Sequence, residues 1–274
     1  MSGKLMVVGT PIGNLSDFSP RAVQTLSEAD FIAAEDTRVT LKLLNHFGIK
    51  KPLISYFEHN KLERGEIICS RMEAGETCAL VSDAGMPAIS DPGEMLVAQC
   101  AERGIPVFVI PGPSAVVSAL AVSGLPTGRF TFEGFLSVNK KSRREHLDEL
   151  KGEHRTMVFY EAPHKLAGTL ADMLSAFGDR RISLVRELTK IHEEVIRTTL
   201  SEAAERYADG SAKGEFVLVV DGAPHSAPEP ESEHDAVALA REYLAQGLSV
   251  SEAAKRAAAE TGRKKNEIYK EIIK

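Results

Sequence analysis

Short apolar runs alternate with amphipathic segments along the first 112 residues of the chain. Apolar positions at a period of two indicate strands, and a period near 3.6 indicates helices. Strands are predicted at about residues 4–9, 30–34, 53–57, 78–82 and 106–110. Helical patterns lie between these strands, which is typical of βαβ units. Residues 1–112 are therefore predicted to form an α/β domain with a mainly parallel sheet.

The pattern changes after Gly128, because strand-like runs then follow one another with fewer helical segments between them. These runs lie at about residues 130–135, 156–160, 182–187, 193–199 and 215–221. Between Ile182 and Leu200, the polar segment Thr189–His192 joins two of the runs, which predicts an antiparallel pair. Residues 113–224 are predicted to form a second α/β domain with a mixed sheet.

The C-terminal part of the chain has a third pattern. Ala223–His234 combines prolines with acidic residues and has no apolar period, which predicts an exposed linker at residues 225–234. Three helices are predicted at about residues 236–246, 250–261 and 265–273, with Ser249 or Ser251 capping the second. Residues 235–274 are predicted to form a short helical domain.

Several residues mark the predicted ends of helices. Ser19 followed by Pro20 predicts an N-cap with proline at the first helical position. Asn60 with Glu63 resembles a capping box. Glycines stand where C-terminal caps are expected, at Gly48, Gly75, Gly104 and Gly124.

Composition limits the classes of function. The chain has 274 residues, of which 43% are apolar, and a formal net charge of -6. Any nucleic-acid binding must therefore come from local basic patches. Cys69, Cys78 and Cys100 have no metal-site spacing and are predicted to be reduced core residues. The apolar run before Gly9 is too short for a signal peptide or a membrane span, so a cytoplasmic protein is expected.

Loops rich in Gly, Pro, Ser and Asp follow three of the predicted strands. They are Gly9–Ser16, Ser82–Gly93 and Pro111–Ala115. Because ligands of open α/β sheets bind at the carboxyl ends of the strands, these loops predict one shared small-molecule cleft. Gly9 and Gly13 lack the third glycine of a dinucleotide loop and the lysine of a P-loop, so a nucleotide-phosphate cradle is disfavoured.

Polar residues at these strand ends allow more than one interpretation. Asp83 is placed to bind an ammonium, a ribose hydroxyl or a backbone amide, whereas Asp91 and Ser114 are either ligand contacts or helix caps. Glu35, Asp36 and Arg38 follow an apolar strand directly, where they either form a surface ion-pair cluster or line the acceptor site.

Basic and acid–base residues recur in the second half of the chain. In Phe159–Lys165, Glu161, His164 and Lys165 are either acid–base or phosphate-binding groups or a solvated helix start. Lys140–Arg144 and Arg263–Lys265 are basic clusters, which are typical either of solvated helix faces or of contacts to a polyanion.

Ordered motifs together resemble the tetrapyrrole methylase (class III) methyltransferase superfamily. They are Val7–Leu15, Ala34–Arg38, Ser82–Gly93, Pro111–Ala115 and Phe159–Lys165. The resemblance covers nearly the whole chain and is strongest to enzymes that methylate the ribose 2′-hydroxyl of a cytidine in 16S ribosomal RNA. It implies two α/β domains of the tetrapyrrole methylase fold followed by a short helical domain.

The resemblance also implies S-adenosylmethionine as the methyl donor, folded in the cleft between the two α/β domains, and no metal ion. The residues implied to contact it are Pro11, Asp83, Gly85, Ala88, Ile89, Ser114, Ala115, Tyr160, Ala162 and Val217. The porphyrin enzymes of the superfamily carry a Gly-Asp-Pro loop where this chain has Ala84–Pro87. The role of their aspartate is therefore not transferred to Asp83.

Methyl transfer to a ribose hydroxyl needs alignment of the reacting groups and a group that takes the hydroxyl proton. Asp36 or Glu161 is predicted to take the proton. The predicted RNA contacts are Arg38, Lys140, Arg143, Arg144, His164, Lys165, Arg263, Lys264 and Lys265. The expected partners are 16S rRNA or the small ribosomal subunit and, because the superfamily is commonly dimeric, a second copy of the chain in a homodimer.

Three other functions fit parts of the pattern. A tetrapyrrole C-methyltransferase would share the fold, although the basic tail and the missing Gly-Asp-Pro loop disfavour it. A dinucleotide-dependent oxidoreductase would share the βαβ pattern, although the glycine fingerprint is incomplete. A non-catalytic RNA-binding module would account for the basic clusters alone.

Overall fold

Two five-stranded sheets form the larger part of the structure, a computed structural model that describes residues 3–224 and 233–273. The strands of the first sheet are Lys4–Val8 (β1), Phe31–Ala34 (β2), Leu53–Ser55 (β3), Thr77–Val81 (β4) and Val107–Ile110 (β5). They are all parallel, in the order β3-β2-β4-β1-β5. The predicted parallel sheet is confirmed.

Helices cover both faces of the first sheet. They are Pro20–Glu28 (α1), Thr37–His46 (α2), Lys61–Glu73 (α3) and Glu94–Glu102 (α4). Side chains alternate between faces along a strand, so Leu5 packs with α3 and α4 in one core while Val8 packs with α1 and α2 in the other. Burial on both faces explains why these strands are continuous apolar runs.

The helix ends follow the predicted signals in most places. Ser19 Oγ accepts a hydrogen bond from Ala22 N at 3.1 Å, which caps α1 as predicted. The capping box at Asn60 is wrong, because its amide instead accepts from Phe57 N at 2.8 Å and donates to Ser55 O at 3.1 Å. The predicted C-terminal glycines have positive φ, at Gly48, Gly75, Gly104 and Gly124.

The second sheet is mixed, as predicted. Its strands are Phe130–Phe135 (β6), Thr156–Glu161 (β7), Arg181–Arg186 (β8), Glu194–Thr199 (β9) and Phe216–Val220 (β10), in the order β6-β7-β10-β8-β9. Only the β6–β7 pair is parallel; β10 runs antiparallel to β7 and β8, and β8 and β9 form the predicted antiparallel pair.

Helices also cover both faces of the second sheet. They are Ala115–Ser123 (α5), Lys140–Glu149 (α6), Pro163–Phe177 (α7) and Leu200–Arg206 (α8). Leu120 of α5 packs on one face, and Leu170 of α7 packs on the other. Helix α5 begins at the loop after β5, so it connects the ligand-facing edge of the first sheet directly to the second sheet.

The chain divides into two compact units, Met1–Ala223 and Pro224–Lys274. Both sheets lie in the first unit, and its further division at residues 112 and 113 stays a prediction. Residues 225–232 of the predicted linker lie outside the described residues.

Within the described residues 233–273 of the second unit lie three helices, Glu233–Ala245 (α9), Val250–Thr261 (α10) and Lys265–Ile272 (α11). Ser249 caps α10 by accepting from Glu252 N at 3.3 Å, which decides between the two serines proposed. The core of this unit is small and consists mainly of alanines with Ile268.

Cys69, Cys78 and Cys100 are buried free thiols, as predicted for core residues. Across residues 3–224 and 233–273, no helix combines the length and the apolar character that crossing a membrane requires.

Candidate active site

Backbone hydrogen bonds join the loops that follow β1 and β4. Thr10 N donates to Gly85 O at 2.9 Å, and Gly85 N donates to Thr10 O at 3.2 Å. The Thr10 hydroxyl also donates to Ser82 O at 3.3 Å. Gly85 has a φ of 84°, which glycine adopts without a steric penalty. The two loops are therefore held together at the carboxyl edge of the first sheet, where the sequence predicted a shared cleft.

Gly9 allows a close approach of the loop after β5. A Cβ added at this position would lie 2.7 Å from Gly112 Cα and 2.7 Å from Met86 Sδ. Contacts this short cannot be accommodated by backbone atoms, so packing alone requires glycine here. This steric role accounts for Gly9 without a bound phosphate.

A cleft with a volume of about 490 Å³ lies at this edge, between the loops of the first sheet and the second sheet. Small-molecule sites have volumes of about 300–1,000 Å³. The lining residues are Ile12, Glu35, Asp83, Ala84, Gly85, Met86, Ile89, Asp91, Ser114, Ala115, Phe135, Tyr160, Glu161, Ala162, Pro163, Val185, Leu188, Glu215, Phe216 and Val217. The cleft thus combines apolar walls with several carboxylates.

Most of the residues predicted to contact the methyl donor line this cleft. They are Asp83, Gly85, Ile89, Ser114, Ala115, Tyr160, Ala162 and Val217. Pro11 and Ala88 lie in the same loops but are not part of the lining. Ala88 and Ser90 have φ values of 67° and 68°, which are strained for residues other than glycine. These two conformations hold Ile89 between them, half-exposed at the cleft.

Neither of the two suggested helix caps in the lining makes a capping hydrogen bond with its side chain. Helix α4 begins at Glu94 with Gly93 at its N-cap, so Asp91 lies before the cap. Ser114 occupies the N-cap position of α5, but its side chain makes no capping hydrogen bond. Both side chains are therefore left for contacts within the cleft.

Three carboxylates from the first sheet lie together in the lining. Glu35 directly follows β2, and Asp83 and Asp91 follow β4. Burial raises the pKa of each carboxyl group, and their mutual repulsion raises the pKa of Glu35 and Asp91 further. This part of the cleft is suited to a cationic ligand or to accepting a proton.

Asp36 has a different environment from its neighbour Glu35. Its carboxylate accepts from Arg38 Nε at 3.0 Å and from Arg38 Nη2 at 2.6 Å, and it caps α2 through Arg38 N at 2.8 Å. These bonds lower the pKa of Asp36 to about 2. Asp36 is not part of the cleft lining, and so low a pKa suits an ion pair better than proton abstraction. Its predicted role as proton acceptor stays a prediction.

Glu161 lines the cleft but is almost fully buried and well paired. Its carboxylate accepts from Thr169 Oγ1 at 2.5 Å and from Ala162 N at 2.8 Å, and lies 3.4 Å from Lys165 Nζ. These partners fix the start of α7 against the end of β7. The geometry favours a positioning role over the predicted role as proton acceptor, which likewise stays a prediction.

The basic residues of α6 divide into two kinds. Arg143 is largely buried, donates to Asp172 Oδ2 from Nε at 2.9 Å and from Nη2 at 2.6 Å, and is 13% exposed in its side chain. Arg144 is 60% exposed, although it contacts the same aspartate at 3.3 Å, and Lys140 is exposed. Lys140 and Arg144 are thus accessible to solvent, whereas Arg143 is held by Asp172, and the predicted RNA contacts of all three stay predictions.

The other predicted RNA contacts are placed as follows. The Arg38 side chain is 87% exposed despite its pairing with Asp36. His164 is exposed, and Lys165 lies over the Phe135 ring at 5.6 Å in addition to its contact with Glu161. These three residues lie in the first turns of α2 and α7, and both helices begin beside residues of the cleft lining.

The tail cluster lies in the second compact unit, at the turn between α10 and α11. The Arg263 side chain is 13% exposed and pairs with Glu271, whereas Lys264 and Lys265 are exposed. Lys265 Nζ contacts Ser251 Oγ at 3.1 Å. Lys264 and Lys265 are therefore the accessible cations of this cluster.

Sequence reasoning missed several lining residues, among them Phe135. Glu35 was predicted together with Asp36 and Arg38 either to form a surface ion-pair cluster or to line the acceptor site, and of these three only Glu35 is in the lining. Glu35 adjoins Asp36, and a strand-end pattern does not tell which of two consecutive acids enters a cleft. Phe135 ends β6 and contacts the Tyr160 ring edge-on, with centroids 5.4 Å apart. No motif marks it, because its position depends on how the second sheet meets the first.

Comparisons with known proteins agree with this architecture. The family model described as Tetrapyrrole (Corrin/Porphyrin) Methylases matches residues 4–204, and a second model, described as RsmI C-terminal HTH domain, matches residues 230–273. A crystal structure of uroporphyrin-III C-methyltransferase from Thermus thermophilus complexed with S-adenyl homocysteine has a TM-score of 0.56. The two sequences are 19% identical, and the match covers 80% of this chain and 97% of the other, which shows the fold.

Curated relatives are much closer in sequence. The Ribosomal RNA small subunit methyltransferase I of Halalkalibacterium halodurans is 50% identical over 271 residues, which cover 97% of this chain and 93% of the relative. The protein of the same name from Thermotoga maritima is 50% identical over 220 residues, which cover 80% of this chain and 99% of the relative. The Thermotoga maritima relative is therefore matched over nearly its whole length, although the match leaves about a fifth of this chain uncovered.

Proposed function

Because the chain belongs to the tetrapyrrole methylase family and, within it, to the Ribosomal RNA small subunit methyltransferase I proteins, we propose that it methylates a ribose in 16S ribosomal RNA. The donor is S-adenosylmethionine, and the acceptor is the 2′-hydroxyl of a cytidine. The observation that carries the proposal is the cleft at the carboxyl edge of the first sheet, where apolar walls meet three carboxylates with raised pKa values.

The lining residues fit S-adenosylmethionine chemically. Asp83 and Asp91 offer negative charge to its ammonium and sulfonium groups, and apolar residues such as Ile89 and Val217 suit the adenine ring. The first N–H groups of α5, beginning at Ala115, have no partner within the helix and suit a carboxylate. When bound, S-adenosylmethionine supplies a methyl group made electrophilic by the adjacent sulfonium.

The main task of the protein is to hold the acceptor hydroxyl in line with that methyl group. Alignment of two reactants in near-attack geometry removes about 7–11 kcal/mol from a barrier. A positioned base adds about 10²–10⁴-fold in rate. Asp36 and Glu161 are the acids that the sequence predicted for this step, and each is tested below against a third acid.

RNA binding is proposed for cations of both units. In the first unit they are the exposed Arg38, Lys140 and Arg144 and the partly buried Lys165, and in the second unit they are Lys264 and Lys265. Sequence-specific proteins bind RNA bases that are splayed out of a helix. A cytidine presented in this way brings its own 2′-hydroxyl to the cleft while its neighbouring phosphates meet the cations.

A homodimer is proposed as the working form, with the cytoplasm as its location because the substrate is ribosomal. The support is strand β5, which lies at the edge of the first sheet. Phe108 and Val109 of this strand are 51% and 54% exposed. Sedimentation analysis tests the dimer: Phe108→Asp should shift the protein toward the monomer, whereas an unchanged mass for this variant excludes β5 as the interface.

The proposed function is tested by methyl transfer from labelled S-adenosylmethionine. Purified small ribosomal subunits, 16S rRNA and a precorrin are offered separately, and labelled nucleosides are separated after digestion of the RNA. The expected product is 2′-O-methylcytidine. Label on a base, or on the precorrin alone, would contradict the proposal and favour the tetrapyrrole C-methyltransferase, with which the likeness rests on fold.

A further inference from the structure

We propose that Glu35 takes the proton from the acceptor hydroxyl, because it lines the cleft directly after β2 and one of its carboxylate oxygens has no hydrogen-bond donor among the described residues. The inference rests on the proposed function and names a catalytic residue for it. It follows from how each acid in the lining, and Asp36 beside it, is hydrogen-bonded.

Glu35 is placed for a role in the chemistry. It directly follows the last residue of β2, is partly buried, and lines the cleft with Asp83 and Asp91. Among the described residues, the hydrogen bond found for its carboxylate comes from Asp83 N, at the long distance of 3.5 Å. Glu35 Oε1 therefore has no assigned donor in the cleft, and an unpaired carboxylate oxygen at this position is available to a hydroxyl proton.

The other carboxylates of this region have stronger partners. Asp36 is held by two donors of the Arg38 guanidinium, and Glu161 by Thr169 and a backbone N–H. Asp83 accepts from Asp36 N at 3.1 Å.

The two remaining lining acids differ from each other. Glu215 pairs with Lys190 at 2.9 Å, whereas Asp91 has no hydrogen bond or ion pair among the described residues, although the nearby Ser82 hydroxyl counters the rise in its pKa. Asp36, Asp83, Glu161 and Glu215 each lose an existing interaction on taking up a proton, whereas Glu35 loses little.

The charges around Glu35 favour proton uptake. Burial raises its pKa, and Asp91, Asp83 and Asp36 raise it further, whereas the N–H of Asp83 lowers it. Arg38 beyond Asp36 faces the same region. On the opposite wall are Tyr160 and Glu161 at the end of β7, with Lys165 behind Glu161, and Glu215 before β10. A base works best when its pKa approaches the working pH, which the repulsion among these carboxylates promotes.

The proposed step is balanced in atoms and electrons. The acceptor O–H bond breaks and its proton goes to Glu35 as the oxygen forms its bond to the methyl carbon. The electron pair of the broken carbon–sulfur bond stays on sulfur, which changes from a sulfonium to a neutral thioether. Because Glu35 is not fully buried, water then removes the proton from its carboxyl group.

The test is the pH dependence of methyl transfer to small ribosomal subunits under single-turnover conditions. Glu35→Gln keeps the size of the side chain but removes its basicity. We expect the wild-type rate constant to decline at acid pH. In Glu35→Gln we expect the rate constant to be lower by about 10²–10⁴-fold and to lose that decline. The dissociation constant of S-adenosylmethionine, measured by calorimetry, is expected to stay unchanged, which shows that the variant is folded and binds the donor.

Asp36→Asn and Glu161→Gln are the matched comparisons, because they neutralise the two acids predicted from the sequence. Both are expected to keep the acid decline of the rate. An unchanged rate for Glu35→Gln would overturn the inference, as would loss of donor binding in that variant or loss of the acid decline in either comparison. A wild-type protein that methylates no ribose would instead overturn the proposed function itself.

Discussion

The two sheets bring to one cleft carboxylates that differ in how many hydrogen-bond donors surround them. Those of the first sheet, Glu35, Asp83 and Asp91, repel one another and have pKa values raised by burial and by their neighbours. Glu161 of the second sheet is more deeply buried, yet it has a hydroxyl, a backbone N–H and an ammonium beside it. Burial alone therefore does not identify a chemically active acid; the supply of donors does.

This contrast separates stability from function. A paired, buried acid contributes to folding, since its partners lose their hydrogen bonds when it is removed. Crowded acids with few partners cost stability and persist where a cation or a proton compensates them. The predictions below compare the two groups, beginning with the largest expected effect.

Removal of the paired acid should weaken the fold strongly. Glu161→Ala leaves Lys165 and Thr169 without their partner in a buried setting, so we expect the free energy of unfolding to fall by about 3–5 kcal/mol. Urea denaturation measures this. Glu58→Ala is the control, because Glu58 is 65% exposed in its pair with Lys61, and it should change stability by at most about 1 kcal/mol. Equal effects in the two variants would show that Glu161 is not a structural acid.

The two arginines of α6 offer a second comparison. Arg143→Ala removes a largely buried donor from Asp172 and should lower the free energy of unfolding by about 1–3 kcal/mol. Arg144→Ala removes an exposed one and should cost no more than about 1 kcal/mol. RNA affinity should respond in the reverse order. A larger affinity loss in folded Arg143→Ala than in Arg144→Ala would restore Arg143 as an RNA contact.

These cases show where sequence reasoning succeeds. The strands of both sheets follow from short apolar runs, and the cleft follows from the Gly- and Pro-rich loops after β1, β4 and β5, because local patterns determine both. The placement of Glu35 rather than Asp36 in the lining, and of Arg143 against Asp172, did not follow, because both depend on partners distant in sequence. Asp83 lies 48 residues from Glu35 and Asp172 lies 29 residues from Arg143. The predicted capping box at Asn60 was wrong for a related reason, since the side-chain amide donates to Ser55 O at the end of β3 and does not cap α3.

The tail is expected to affect RNA binding and not donor binding. Lys264→Glu with Lys265→Glu should weaken binding to 16S rRNA and make its salt dependence shallower by about 0.7 per lost phosphate contact. Affinity for S-adenosylmethionine should not change. Lys4→Glu with Lys50→Glu is the control of equal charge, because both lysines are exposed at the amino ends of strands, away from the cleft. Equal RNA affinity for the two double variants would contradict a specific role of the tail.

The smallest change in the free energy of unfolding is expected from substitution of Glu35. Because the pKa of Glu35 is raised in the folded protein, its ionised form opposes folding once the pH exceeds that pKa. Glu35→Gln should therefore be more stable than the wild-type protein at neutral and alkaline pH, by no more than about 1 kcal/mol. The difference should shrink as the pH falls. Urea midpoints measured over a pH series test this. A variant less stable than the wild-type protein at alkaline pH would contradict the repulsion of Glu35 by Asp83 and Asp91.

Ribose methylation of 16S rRNA in cells that lack this protein tests the central claim most directly. Mass mapping of the RNA should show one cytidine without its 2′-O-methyl group. The wild-type gene should restore that group, and a gene encoding Glu35→Gln should not. A complete set of ribose methyl groups in the deletion strain would contradict the account.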